Sequence, residues 1–372
     1  MMKKLHQLSE LYYRVILVIF LVYGMLLIQT IREFDKTDFP VFSWDRFVSG
    51  QWGEDLECYL EKHVGFHDDL FQIKNQANLL IGEKMIQNVY VTKQGLMEKF
   101  VCDTQPDASF INQCYEKANV PVYFILVPTA GGIYESQLPA NAPTSDQERF
   151  IKAVYAETES GIRCIDTYHI LRSLKEDYIY YRTDSHWTSY GAYYVYQSAI
   201  QKMGFAPVPY QRYVISHLNM DFRGDLYRET LYHAVKPDIL DCYHYETGAE
   251  ITEVQAYDQN GQIRIRDSLY DRSVLDSAQQ SGDNLDLYHY YLGEPCEKLV
   301  IRTNLDNHKK LLLYKDDFAD CMIPFLIQHY SEICMIDLHQ ADTETIMASA
   351  QDPEYTQILF LCSVKTWQNQ SS

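Results

Sequence analysis

No two of the nine cysteines stand as C-x-x-C, so the chain lacks the pairing on which zinc ribbons and dithiol redox sites depend. Cys242 and His244 have no second pair, and His63 and His67 flank Gly65 without the glutamate of a metalloprotease helix. The cysteines, at 58, 102, 114, 164, 242, 296, 321, 334 and 362, are odd in number and suggest no disulfide framework. Cys164, Cys334 and Cys362 lie in apolar runs, where cysteine is a small buried hydrophobe. Basic charge is scarce as well. Lys and Arg number 32 against 51 Asp and Glu, a net −19, which argues against nucleic acid or an anionic membrane surface as the main ligand. Repeats and low-complexity tracts are missing, and 372 residues at 47% apolar suffice for one large or two ordinary domains. The 31 tyrosines suit either a sugar-stacking surface or the rim of an ordinary core.

The longest apolar run is N-terminal. Residues 11–31 are nearly all apolar, with an uninterrupted centre from Val15 to Ile28, close to the ~20 residues that span a bilayer. Lys3, Lys4 and Arg14 precede it against Glu10, while Arg32, Glu33, Asp35 and Lys36 balance. The positive-inside rule puts residues 1–10 in the cytoplasm and everything after about residue 35 outside. A cleaved signal peptide is the competing reading, but Gln29 to Phe34 offers no small-x-small cleavage site, so an uncleaved anchor is expected.

Residues 32–83 read as a juxtamembrane linker and helices, with Leu56, Tyr59, Leu60 and Val64, then Leu70 to Leu80, at helical spacing. Asn88 to Met97 reads as a hairpin turning at Lys93-Gln94-Gly95. Thereafter apolar runs alternate with helical segments. Val122–Val127, Gly161–Ile165, Lys310–Tyr314, Ile333–Ile336 and Gln357–Cys362 read as buried strands, and Asp107–Ala118 and Thr144–Thr158 as helices. That pattern predicts an α/β fold of three layers with a mostly parallel sheet, whose sites lie beyond the carboxyl ends of the strands. Residues 211–305, rich in tyrosine and charge, read as a β-rich or irregular insertion in a domain spanning 84–372.

Two stretches carry chemistry. Thr183-Asp184-Ser185-His186-Trp187-Thr188 precedes a run in which Ala192, Val195, Tyr196, Ala199, Ile200 and Met203 fall at helical spacing before Gly204. Asp184 is close enough in sequence to hydrogen-bond His186, orient it and raise its basicity. Trp187 either walls a site or anchors the loop in the core. The bland alternative is a satisfied loop histidine beside a turn aspartate. The second stretch, Leu311 to Asp320, reads as a strand, a tight acidic turn and a helix, the setting in which α/β hydrolases present a nucleophile.

These motifs resemble the family named for its D-H-H-W motif, itself similar to the SGNH-hydrolase-like domains of alginate O-acetyltransferases of the AlgJ and AlgX type. The resemblance covers nearly the whole chain: the N-terminal anchor, Asn88-Val-Tyr with Gly95-Leu96, Pro128-Thr129, Leu138-Pro139, Asp184-Ser-His186-Trp187-Thr188, Asp221-Phe-Arg-Gly224, Pro237-Asp238, Lys315-Asp316 with Ala319, Pro324-Phe-Leu and Asp337-Leu338. It implies Asp184 as orienter, His186 as general base, no cofactor, and a nucleophilic serine in the turn after the late strand. At that position stands Asp317. An ionised carboxylate has no proton for the histidine to take, and its acylation would give a high-energy anhydride. Asp184, Asp316 and Asp317 around one imidazole would also hold it charged. Gly293 is left of the glycine pair that would supply oxyanion donors, and His67 and His339 stand where arginines are expected.

Three readings follow. In the first, an exported-polysaccharide O-acetyltransferase or esterase uses a serine elsewhere, Ser185 or Ser189. In the second, a membrane-anchored extracellular protein keeps the fold without the chemistry and holds glycans or envelope assembly partners. In the third, Asp184, Asp316, Asp317 and His186 bind a hard divalent cation. The second is the expectation, with no metal and with Trp187 and Gly293 on the substrate side.

Overall fold

An aliphatic run without polar interruption makes a stable strand only where both its faces are covered, and such runs form the centre of this protein's main sheet. The computed structural model describes residues 14, 16–25, 39–53, 55, 56, 59, 67–102, 105–258, 261–275 and 286–370. The chain divides into two compact units, Met1–Glu83 and Lys84–Ser372.

In the second unit a small antiparallel sheet comes first, from β1 (Met85–Ile86), β2 (Val89–Val91) and β3 (Leu96–Glu98). Val91 pairs with Leu96, so the turn falls at the expected hairpin. Helix α1 (Ser109–Lys117) leads into β4 (Val122–Val127), in which every residue is buried. Helix α2 (Gln147–Ala156), capped by Asp146, precedes the two-residue β5 (Arg163–Cys164) and α3 (Thr167–Ser173). Then comes α4 (Ser189–Lys202), whose N-cap Thr188 accepts from the Gly191 N–H. The six apolar positions read at helical spacing are all buried, and Gly204, at φ +89°, provides the turn out.

The late runs become β11 (Lys310–Lys315), β12 (Glu332–Asp337) and β13 (Gln357–Ser363), each buried beyond its first residue. With β4 and β5 they form a parallel set in the order β5-β4-β13-β11-β12. Helices α6 (Thr343–Ser349) and α7 (Val364–Gln370) complete the chain. Strand β11 is flanked on both sides, and the turn that follows it opens at the carboxyl edge of the sheet.

The sheet as a whole is mixed, which corrects the expectation of a mostly parallel one. Residues 211–305 form β6 (Val214–Phe222) paired with β7 (Asp238–His244), with helix α5 (Asp225–Thr230) between them, and then β8 (Ile251–Tyr257) and β9 (Ile263–Arg266). Strands β8 and β9, with β10 (Lys298–Thr303), extend the main sheet beyond β12 by antiparallel pairing. The stretch is β-rich as expected, but part of it belongs to the sheet instead of lying within it as an insertion. Its burial alternates along β8, since only one face is covered, so its strands carry the charge and tyrosine that obscured them in the sequence.

The other unit contains helices Trp44–Val48 and His67–Leu80; part of the helix expected around 56–64 lies outside the described residues. Of the expected span 11–31, residues 14 and 16–25 are helical and the remainder lies outside the described residues, as do residues 1–10. Among the described residues no helix is long and apolar enough to cross a membrane.

Candidate functional site

The loop Thr183–Thr188 is held from below by a buried carboxylate. Asp238 accepts from the Thr183 N–H at 2.7 Å, the Thr183 hydroxyl at 2.6 Å and the Arg182 N–H at 2.9 Å. These bonds satisfy backbone donors that burial would otherwise leave unpaired. With the loop fixed, the Asp184 carboxylate turns back on its own chain. Its Oδ1 accepts from the His186 N–H at 2.9 Å and lies 2.6 Å from the imidazole Nδ1. Its Oδ2 accepts from the Asp225 N–H at 3.2 Å. Close passage of the chain at Gly224 makes this possible: a Cβ there would lie 2.1 Å from Asp184 Oδ2.

The imidazole of His186 stacks on Tyr288, ring centroids 3.9 Å apart and planes 8° apart, with Phe318 at 4.8 Å on its flank. Trp187, fully buried, donates from Nε1 to the Phe318 carbonyl at 2.6 Å. It therefore binds the histidine loop to the acidic turn as a structural anchor, and its expected place on the substrate side is corrected: a fully buried indole has no face for a ligand.

The turn after β11 brings Asp317 to the other side of the ring. Asp317 Oδ1 lies 3.2 Å from His186 Nε2, near enough for an ion pair, yet Nε2 has no aligned hydrogen-bond partner. Asp184, His186 and Asp317 thus stand in the order of a catalytic triad, with a carboxylate in the third place.

Electrostatics follow from that order. Burial opposes protonation of His186, but the carboxylates of Asp317 and then Asp184, with their contacts to the ring, outweigh it and hold the imidazole's pKa well above its ordinary value. The Asp317 side chain is 53% exposed, so burial raises its carboxyl little, and the imidazolium charge, its contact with the ring and Lys315 hold it below the usual carboxylate range. Asp184 follows the same balance and is also lowered. The cluster favours Asp⁻-HisH⁺-Asp⁻, a charge state that weakens the histidine as a base.

Asp316 was expected in the same cluster and is not there. It faces the opposite way, accepting from the Ser363 N–H at 2.7 Å, the Thr366 hydroxyl at 2.7 Å and, as N-cap of the 3₁₀ turn Asp317–Met322, the Phe318 N–H at 3.1 Å. Burial and then the nearby charge of Asp317 push its pKa up to about 6. Successive residues on an extended turn point to opposite sides, so adjacency in sequence misled. The geometry also weighs against the third reading, a cation site, because the Asp184 and Asp316 carboxylates are taken up by local donors and do not converge with Asp317.

Neither alternative serine is poised to react. The Ser185 hydroxyl donates to Asp225 at 2.6 Å and its N–H to the same carboxylate at 2.7 Å. Ser189 is buried with its hydroxyl 3.0 Å from that of Tyr291. Gly293, read as a substrate-side residue, lines a small pocket beside Asp317, and its N–H donates to the His289 carbonyl at 2.7 Å instead of pointing into that pocket as an oxyanion donor. His339 lines the same pocket, whereas His67 belongs to the unit Met1–Glu83. Behind Asp317, buried Lys315 lies 2.7 Å from Asp320 and 3.6 Å from Asp337. Burial disfavours its charge, and these acids more than restore it.

Several supports were not foreseen in the sequence. Asp225, pushed up to about 7 by burial and then by Asp184, locks Ser185; Tyr288 stacks under the imidazole; Asp238 fixes the loop. Only Asp238 and the Gly224 segment had a signal, as short motifs without an assigned role. Asp225 and Tyr288 lie 41 and 102 positions from Asp184 and His186 along the chain, by subtraction of their numbers.

Comparison with known proteins agrees with this architecture. A DHHW family protein from Eubacterium siraeum has a TM-score of 0.60 at 22% identity, covering 75% of this chain and 92% of that one. Bacillus cereus PatB1, in a structure with a sulfonyl adduct, has a TM-score of 0.60 at 19% identity, covering 76% and 95%. The O-acetyltransferase domain of Pseudomonas putida AlgJ matches at a TM-score of 0.46 and 12% identity, covering 76% and 92%. No curated protein matches the chain by sequence. The family model described as DHHW protein matches residues 108–336. That span is more than half of the chain and contains Asp184, His186 and Asp317, and on this ground the chain belongs to the DHHW family.

Proposed function

We propose that this chain is a cell-envelope protein that handles exported or surface polysaccharide through an SGNH-like fold whose serine chemistry has been replaced. Residues 11–31 anchor it in the membrane with the N-terminus cytoplasmic, and residues after about 35 lie outside. The observation that carries the reading is the 3.2 Å approach of Asp317 Oδ1 to His186 Nε2. A hydroxyl at that point could pass its proton to the ring and accept an acyl group, whereas a carboxylate instead neutralises the ring's charge. Ser185 and Ser189 are engaged elsewhere, which supports a glycan-holding or assembly role over acyl transfer.

The test compares turnover of an acetyl-ester reporter by the wild type, Asp317→Ser and the double variant Asp317→Ser/His186→Ala. The expected result is no turnover by the wild type, His186-dependent turnover by Asp317→Ser, and none by the double variant. Wild-type turnover abolished by His186→Ala would overturn the reading. It would establish the second one, an active O-acetyltransferase or esterase, which the intact 2.6 Å Asp184–His186 contact favours.

A further inference from the structure

The unit Lys84–Ser372 holds a second cavity, of roughly 470 Å³, that shares no lining residue with the pocket beside Asp317. Its volume falls within the range of small-ligand sites, about 300–1,000 Å³. One wall is the hairpin turn Thr92–Gly95, the other the segment around Lys236, and the floor includes buried Tyr134, Tyr180 and Tyr181. Half-buried Tyr178 and Tyr232 complete the lining.

The walls are rigidly built. The Thr92 hydroxyl accepts from the Gly95 N–H at 3.2 Å and donates to the Gly95 carbonyl at 2.8 Å. A Cβ on Gly95, at φ +159°, would come within 2.7 Å of the Arg182 backbone, and the Leu96 N–H donates to the Arg182 carbonyl at 2.8 Å. The hairpin is thereby fastened to the chain just ahead of Thr183.

Charge in the cavity runs against the rest of the chain. Lys93, Arg182 and Lys236 line it, in a protein with a net charge of −19. Among the described residues Lys93 and Lys236 make no ion pair, and both are exposed. Arg182 lies over the Tyr178 ring at 4.4 Å from its centroid and reaches Asp238 only at 3.4 Å. Of the two acids in the lining, Glu176 and Asp177, the first lies 3.9 Å from Lys175.

We propose that this cavity binds an anionic saccharide, with sugar faces packed on the half-buried Tyr178 and Tyr232 and a carboxylate or phosphate held by Lys93, Arg182 and Lys236. Tyrosine offers an apolar face and a hydroxyl in one side chain, which suits a sugar ring. Lys93 and Lys236, which make no ion pair among the described residues, supply the counter-charge that a neutral glycan would not need. The proposal rests on the reading of the chain as a glycan-handling protein and not on the chemical state of Asp317.

The test is calorimetric titration of the full chain with three probes of matched length: a galacturonate oligosaccharide, a glycerol-phosphate oligomer and a neutral glucose oligosaccharide. At least one anionic probe is expected to bind, with affinity falling as salt rises, and the neutral probe at least about tenfold more weakly. The preferred anion identifies carboxylate or phosphate as the source. The exposed pair change Lys93→Ala/Lys236→Ala, which leaves the core intact, should weaken binding about tenfold, the scale of two screened surface contacts. Anionic binding untouched by that change overturns the cavity assignment alone. Equal binding of the neutral probe overturns the anionic class, and no binding of any saccharide overturns both the cavity and the glycan reading.

Discussion

Trp187 and Phe318, 131 positions apart, are joined by a hydrogen bond of 2.6 Å from the indole N–H to the backbone carbonyl. Through it the loop that carries His186 and the turn that carries Asp317 form one rigid piece. The imidazole meets the acid because the indole holds the two segments in register.

Trp187→Phe should therefore cost about 1–3 kcal/mol, from a buried carbonyl left without its donor and the volume lost. Urea denaturation reads that loss directly. An unchanged midpoint would mean that the loop is held by Asp238 alone.

The charge of His186 gives a spectroscopic prediction. Nitrogen NMR should find the ring protonated at pH 7, because Asp317 and Asp184 raise its pKa well above the ordinary value. Asp317→Asn removes the larger of those charges and should lower the titration midpoint. A ring that titrates near 6.5 in the wild type would refute the ion-pair assignment.

Gly224→Ala should displace the carboxylate that orients the ring. The added Cβ would lie 2.1 Å from Asp184 Oδ2 and 2.2 Å from its Cβ, so the carboxylate cannot keep its present place. A loss of about 1–3 kcal/mol is expected from such overpacking. The His186 midpoint should fall with it, a result that separates lost orientation from general destabilisation.

Asp225 predicts a pH dependence. Its folded pKa is raised to about 7, by burial and then by Asp184, so its contribution to stability is full below the unfolded value of ~4 and is lost as pH rises through 7. Asp184 and Asp317 are lowered, and their contribution is constant over that window. Unfolding free energy should thus decline between about pH 4 and 7, and Asp225→Asn should reduce the decline by on the order of 1–2 kcal/mol. An identical pH slope in the variant would exclude Asp225 as its source.

Much of the frame could be read from the chain alone. The strands at Val122, Lys310, Glu332 and Gln357 are continuous apolar runs, and burial on both faces is the only environment that stabilises them. Helix Ser189–Lys202 announced itself through spacing, an N-cap threonine and a closing glycine. The loop pairing of Asp184 with His186 was equally legible, because two residues in a tight turn have few ways to avoid each other. Strand β8 was not, since one-sided burial leaves charged and polar residues on alternate positions.

Sequence by itself settled which residues would form the parallel core and which histidine would carry a carboxylate partner, since both depend on neighbours within a few positions. Only the tertiary structure decided that Asp317 faces that histidine while Asp316 turns away. It also decided that Trp187 is an anchor, that Gly224 and Asp225 cradle Asp184, and that Tyr288 lies under the ring. Those relationships join residues up to 131 positions apart, and packing, not local preference, determines which of them meet.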